Sequence, residues 1–126
     1  MVMIIMEKLV EMGILFDFYG KLLSEKQYRV IDLYYINDFS LAEIGEEINI
    51  SRQGVYDILK RAENRLVQYE DKLGLVKKFK DTNEKVKIIL NLTNDIMMLM
   101  EKKKLSEINS KLQYIQKISQ EIIEEG

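Results

Sequence analysis

The stretch SLAEIGEEINISRQGVYDILKRAENRL, residues 40–66, decides how this chain is read. Ser40 is a residue type that caps helices, because its hydroxyl can accept from an otherwise unpaired backbone N–H. Leu41, Ile44, Gly45 and Ile48 recur behind it at helical spacing, which predicts a helix over 41–48. Asn49 ends that helix, since Asn tolerates the positive φ at which a chain leaves a helix. Asn49-Ile50-Ser51 is short enough to hold two helices at a steep angle, with Ser51 as the second cap. Val55, Ile58, Leu59, Ala62 and Leu66 then mark the buried face of the second helix, and Arg52, Gln53, Tyr56, Asp57 and Lys60 fall opposite. The small Gly45 lies where the helices cross closely. The pattern is a helix-turn-helix whose exposed side is a candidate reading head, although a motif used only for protein contacts would have the same core.

Outward from this motif, 126 residues leave room for one typical domain, or a small domain with an appendage. Hydrophobic residues make up 47% and charged residues 32%, so a packed core is expected rather than wholesale disorder. Proline is absent, and Lys, Glu, Leu and Ile dominate, which predicts an all-α chain. Without cysteine or histidine, disulfides, thiolate chemistry and the commonest zinc sites are excluded. The opening MVMIIM is too short for a signal segment and has no basic stretch before it, so a soluble cytoplasmic protein is expected. The most apolar later stretch, VKIILNLTNDIMMLM, is broken by Lys87, Asn91, Asn94 and Asp95 and is no membrane span.

Net charge is −2, which argues against a strong nonspecific binder of nucleic acid. Its distribution is uneven. Residues 24–66 carry six basic against eight acidic groups, whereas 67–104 carry nine against six. Within the second motif helix, Arg52, Lys60, Arg61 and Arg65 face only Asp57 and Glu63, so a surface there would be locally basic.

Taken in order, residues 6–19 read as a first helix, which either starts at Met6 or is extended by the five residues before it, with Leu9, Val10, Gly13, Leu15, Phe16 and Tyr19 as its apolar face and Gly20 as its stop. Ser24 and Gln27 form a capping-box pattern before a strongly apolar helix containing Val30, Ile31, Leu33, Tyr34 and Tyr35, with Asn37-Asp38 as its exit. Its tyrosines stand at helical spacing, which fits core positions better than a base-stacking platform. Beyond Leu66 the helical pattern runs to about residue 73, where Gly74 offers a break. Lys77, Lys78 and Lys80 follow as a basic run, more in keeping with a solvated face than a binding patch.

From Thr82 an amphipathic helix is expected, with Val86, Ile89, Leu92 or Thr93, Ile96, Leu99 and Met100 on one side. Lys102-Lys103-Lys104 suits its C-terminal dipole, and Ser106 is the expected cap of a last helix carrying Ile108, Leu112, Ile115, Ile118 and Ile122. Together they read as an antiparallel hairpin. A hairpin this apolar needs a surface to bury against, either the N-terminal helices or a second copy, and the expectation is a homodimer. The expected domains are 1–80 and 81–126.

The run LLSEKQYRVIDLYYINDFSLAEIGEEINISRQGVYDILKRAENRL, residues 22–66, resembles region 4 of bacterial primary sigma factors. With FDFYGKLLS before it and YEDKLGL after it, it more closely resembles the small bacterial YlxM-like proteins, over roughly residues 7–80. That resemblance implies a helix-turn-helix DNA-binding or regulatory protein associated with the signal recognition particle pathway. In sigma region 4 the second motif helix enters the major groove, which implies Arg52 and Gln53 as base readers and Tyr56 and Lys60 as backbone or flanking contacts. Arg pairs bidentately with guanine and Gln with adenine, at roughly 1–3 kcal/mol of discrimination each. Ser51, with the N–H groups at the helix start, suits a phosphate, and Arg61 extends the basic surface. Asp57 could accept from cytosine or repel phosphate, and Gly54 is a poor helix former whose role is open.

No Gly-rich phosphate loop or nucleophile constellation is present, and paired acids such as Glu46-Glu47 point in different directions, so an enzyme and a cofactor are not expected. Two functions remain. One is a regulator that binds double-stranded DNA through Ser51, Arg52, Gln53, Tyr56, Asp57, Lys60 and Arg61; the other is an adaptor using the same fold to contact signal recognition particle protein or RNA. The acidic balance favours the second and the intact motif the first.

Overall fold

The computed structural model describes residues 2–125, with side chains from residue 7 onward. Its elements are α1 (Val2–Tyr19), α2 (Glu25–Ile31), α3 (Leu41–Ile48), α4 (Arg52–Leu73), α5 (Leu75–Glu101) and α6 (Leu105–Glu125), with no strand among the described residues. The chain is all-α. It divides into two compact units, Met1–Val76 and Lys77–Gly126. None of the described helices is long and apolar enough to cross a membrane.

In the first unit, local chemistry sets the helix starts. Ser24 accepts from the Gln27 N–H while the Gln27 side chain accepts from the Ser24 N–H, each at 3.2 Å, a reciprocal box that opens α2. Ser40 and Glu43 repeat it at 3.1 Å to open α3. The Ser40 N–H and hydroxyl hold the Glu43 carboxyl below the usual carboxylate range. Because that folded value is depressed, the cap's contribution is present above the unfolded value and is lost as pH falls through the folded one. After Ile31 the chain widens into an i→i+5 turn over Asp32–Ile36, closed by the Asn37 N–H on the Asp32 carbonyl at 3.0 Å.

The core of this unit joins Met12, Leu15, Phe16 and Tyr19 of α1 to Val30 and Ile31 of α2, Ile44 of α3, and Val55, Leu59, Ala62 and Leu66 of α4. Each large aliphatic side chain there contributes about 1.5–3 kcal/mol of transfer free energy. For α1 the extended start holds, and one expectation changes. Its helix begins at Val2, before Met6, and Leu9 and Val10 are exposed because the buried row runs through Met12, Leu15, Phe16 and Tyr19. As expected, α1 ends at Tyr19, and Gly20 opens a tight turn over Gly20–Leu22.

The α4–α5 junction is held from a distance. Gly74 adopts φ +63°, the left-handed conformation glycine takes at no steric cost, and closes α4 on the Glu70 carbonyl. The next N–H groups are bonded by side chains: Leu75 donates to the Tyr19 hydroxyl at 3.1 Å and Val76 to Glu70 Oε1 at 3.0 Å, while Tyr19 donates to that same carboxylate oxygen. Burial, then the bond to Glu70, pushes the Tyr19 hydroxyl above its ordinary pKa, so it stays a donor. Tyr19→Phe is expected to cost about 1–3 kcal/mol by leaving the Leu75 N–H without its acceptor, read as a lower thermal midpoint. An unchanged midpoint would show that the hydroxyl holds nothing.

Because these caps are available, α5 starts at Leu75 and not near Thr82, and Lys77, Lys78 and Lys80 lie on its exposed first turns. In the second unit, α5 and α6 pair as an antiparallel hairpin. Its turn is Lys102–Lys104, with Lys103 at φ +56°, so Ser106 lies inside α6 and is not its cap.

Candidate nucleic-acid interface

The motif's turn is built as tightly as its sequence implies. Asn49 sits at φ 58°, ψ 46°, and the Ile50 N–H returns to the Gly45 carbonyl at 3.0 Å. A Cβ on Gly45 would lie 2.7 Å from the Ile50 carbonyl oxygen, closer than side-chain carbons come to backbone oxygen. The close crossing therefore requires glycine. Ser51 accepts from the Gly54 N–H at 3.0 Å and starts α4. A Cβ on Gly54 would come within 3.2 Å of that capping hydroxyl, which gives this glycine a local reason.

From that start, α4 buries Val55, Leu59, Ala62 and Leu66, with Ile58 half-buried at the edge. Ser51, Arg52, Gln53, Tyr56, Asp57 and Arg61 are exposed, and Lys60 is half-buried on the flank. Arg52, Arg61 and the neighbouring Arg65 have no ion-pair partner among the described residues. Three guanidinium groups are thus open to an incoming phosphate or base edge.

Asp57 and Lys60 are engaged by their neighbours. The Gln53 amide donates to Asp57 Oδ1 at 3.1 Å one turn away, which orients the amide and takes up part of the carboxylate. Lys60 stands 5.5 Å over the Tyr56 ring and 3.3 Å from Glu63 Oε2. Burial pulls the Lys60 ammonium down, but the Glu63 charge and hydrogen bond outweigh it, and its pKa ends above the ordinary lysine value. Lys60 remains charged, with its field largely taken by Glu63.

Glu63 is the residue sequence reasoning misplaced. Counted among the outward charges of α4, it is only 6% exposed and gathers Lys60, Lys8 at 3.7 Å and the Tyr35 hydroxyl, which donates to its other oxygen. Burial and this bond push the Tyr35 hydroxyl above its ordinary range. Its position immediately after Ala62, and one turn beyond Leu59, was the available signal. Removing Asp57 from the outer face should act in the opposite direction from removing an arginine on nonspecific binding: Asp57→Ala is expected to raise affinity for a nonspecific duplex by about two- to five-fold, by relieving repulsion of phosphate, while releasing the Gln53 amide and lowering selection of a preferred sequence. A titration showing weaker binding would assign Asp57 an attractive contact instead. No group of three or more acidic residues able to hold a metal occurs among the described residues.

These elements define a helix-turn-helix protein whose second motif helix is long and carries exposed arginines. The family model described as "Putative helix-turn-helix protein, YlxM / p13 like" matches residues 6–125, and the chain belongs to that family. It is 56% identical over 78 residues to a UPF0122 protein of Caldanaerobacter subterraneus, an alignment spanning 62% of this chain and 67% of the relative. A UPF0122 protein of a Thermoanaerobacter species is 45% identical over 113 residues, 90% of this chain and 92% of the relative. One from Bacillus pumilus is 48% identical over 107 residues, 85% and 97% of the two chains.

Proposed function

We propose that this protein is a DNA-binding regulator that lays the first turns of α4 in the major groove as a homodimer. Residues 1–80 act as the reading domain and 81–126 as the pairing element. The observation that carries this reading is the pair Arg52 and Gln53, exposed at the start of a helix behind a formed Ser51 cap. Arg52 reads guanine and Gln53, held by Asp57, reads adenine; Ser51 and the helix N-terminus meet phosphate, and Tyr56, Lys60 and Arg61 flank. With few free cations, nonspecific attraction is weak and specificity rests on the base contacts.

A second reading has its own support. Lys60 is paired to Glu63, and Glu46 and Glu47 are exposed on α3, the helix that would cross the phosphate backbone. Both features suit an adaptor for the signal recognition particle's protein or RNA. Anisotropy titrations of a randomised duplex pool, the particle's RNA and its GTPase, at low and physiological salt, separate the two. Sequence-selective duplex binding that weakens modestly with salt, as few phosphate contacts require, supports the regulator. Firm binding to RNA or GTPase without duplex binding assigns the adaptor.

A further inference from the structure

We infer that one side of the C-terminal hairpin is an interface with a second copy of this chain, closing a four-helix bundle. The inference rests on the dimeric part of the reading above and adds its surface; duplex binding plays no part in it.

Within the second unit, a row of buried and half-buried positions steps by threes and fours: Thr82, Lys85, Ile89, Leu92, Ile96 and Leu99 on α5, and Ile108, Lys111, Ile115, Ile118 and Ile122 on α6, with Ser119 and Glu121 half-buried at its edges. That is an antiparallel coiled-coil seam. Lys85 meets Glu125 at 2.8 Å and Glu121 at 3.7 Å, and Lys111 meets Asp95 at 3.4 Å, which fixes the register. The seam alone is thin. Among the described residues, only Ile96, Ile108 and Ile118 of the seam are buried, and each keeps 4–9% exposure.

A second stripe runs one residue C-terminal to each seam position. Advancing one residue turns about 100° around a helix, and because the helices are antiparallel both steps turn toward the same side of the hairpin. That side carries Val86, Leu90, Met97 and Met100 of α5 with Leu112 and Ile123 of α6, and Leu105, seven residues before Leu112, continues it to the start of α6; these are between 41% and 77% exposed. The remaining positions on the stripe are Asn83, Thr93, Asn109, Gln116 and Ser119, so it holds no charge. The opposite side, one residue N-terminal to each seam position, carries the charges Asp81, Glu84, Asp95, Glu107, Lys117 and Glu121 between the exposed apolar groups Ile88, Met98 and Tyr114, so the two sides differ in charge more than in apolar content. In a chain that is 32% charged, the contrast separates a solvated face from a covered one.

The composition of the stripe selects its occupant. With no charge to read, it cannot select a distinct partner by electrostatic complementarity. A two-fold axis through the stripe sets apolar groups on apolar groups and amides near amides, so an identical face fits it without alteration. On α5 the apolar stripe residues Val86, Leu90, Met97 and Met100 keep to helical spacing, as on a helix packed against a second neighbour, while on α6 Leu105, Leu112 and Ile123 are separated by polar Asn109, Gln116 and Ser119. A stable interface takes about 800 Å² from each partner, and seven large side chains this open supply most of that area.

The test is sedimentation equilibrium of the full chain without nucleic acid, over a concentration series. The wild type is expected at about twice the 14.9 kDa chain mass. Met97→Glu and Leu112→Glu, on different helices and both exposed, are each expected to weaken association on the order of 100-fold with helical circular dichroism retained, because each buries an unpaired charge on pairing. Met98→Glu, equally exposed but on the charged side, is expected to leave the dimer intact. A monomeric wild type overturns the dimer itself. A dimer that withstands both stripe variants, or is broken equally by Met98→Glu, leaves dimerisation standing and overturns this surface.

Discussion

Changing Arg52 and Gln53 together to Ala is expected to lower affinity for a preferred duplex by about 100-fold or more and to leave the thermal midpoint almost unmoved. Both side chains are exposed at the start of α4. Each bidentate base contact contributes roughly 1–3 kcal/mol of discrimination, so losing two removes most of the margin over nonspecific binding. Their own fold-stabilising contacts are small. The Gln53–Asp57 bond is exposed, and Arg52 has no ion-pair partner among the described residues, which places the stability change within about 0.5 kcal/mol. Paired fluorescence titrations and melts check both halves. A duplex affinity that survives the double change would remove the N-terminal turns of α4 from the interface.

Gly45→Ala is expected to do the reverse, lowering stability by about 2–3 kcal/mol and the thermal midpoint by roughly 10 °C or more. The added methyl would stand 2.7 Å from the Ile50 carbonyl oxygen, a backbone atom that cannot swing aside. Relief requires α3 and the Asn49-Ile50-Ser51 turn to separate, which uncovers Ile44 and Val55, both fully buried beneath the motif. Gly13→Ala is the matched comparison. Its Cβ would meet no other side chain or neighbouring segment within 4 Å, and in the middle of α1 alanine is the better helix former by about 1 kcal/mol. Opposite signs for the two changes in one set of melts would locate the cost at the helix crossing. Equal effects would show that the crossing tolerates a side chain.

The parts of the fold legible in the sequence are those specified by neighbours in the chain. Ser40, Asn49, Ser51 and Gly74 each act within four residues, and they gave the ends of α3 and α4. The misplaced parts depend on distant groups. The start of α5 is capped by Tyr19 and Glu70, and Tyr19 lies 56 residues from the N–H it accepts. Lys103 takes the left-handed turn conformation that Gly or Asn ordinarily supplies, so Ser106 looked like the better boundary. Leu9 and Val10 appeared on the apolar face of α1 because composition marks an apolar residue without saying what lies across from it.

The same distinction holds in the candidate interface. Exposure of Arg52, Gln53, Tyr56, Asp57 and Arg61 follows from helical periodicity alone. The pairing of Lys60 does not, since Glu63 is turned inward by a tyrosine hydroxyl 28 residues earlier in the chain. The outer face of α4 is consequently less basic toward a ligand than its residue list implies. Arg52, Arg61 and Arg65 and the oriented Gln53 amide remain exposed there.

Whether α4 reads duplex DNA is decided by repeated selection from a randomised duplex pool with wild-type protein and the Arg52→Ala, Gln53→Ala double variant in parallel. The account predicts enrichment of one sequence class by the wild type, containing guanine and adenine at adjacent contacted positions, and no enrichment by the variant. A wild-type pool that stays random through selection would contradict it.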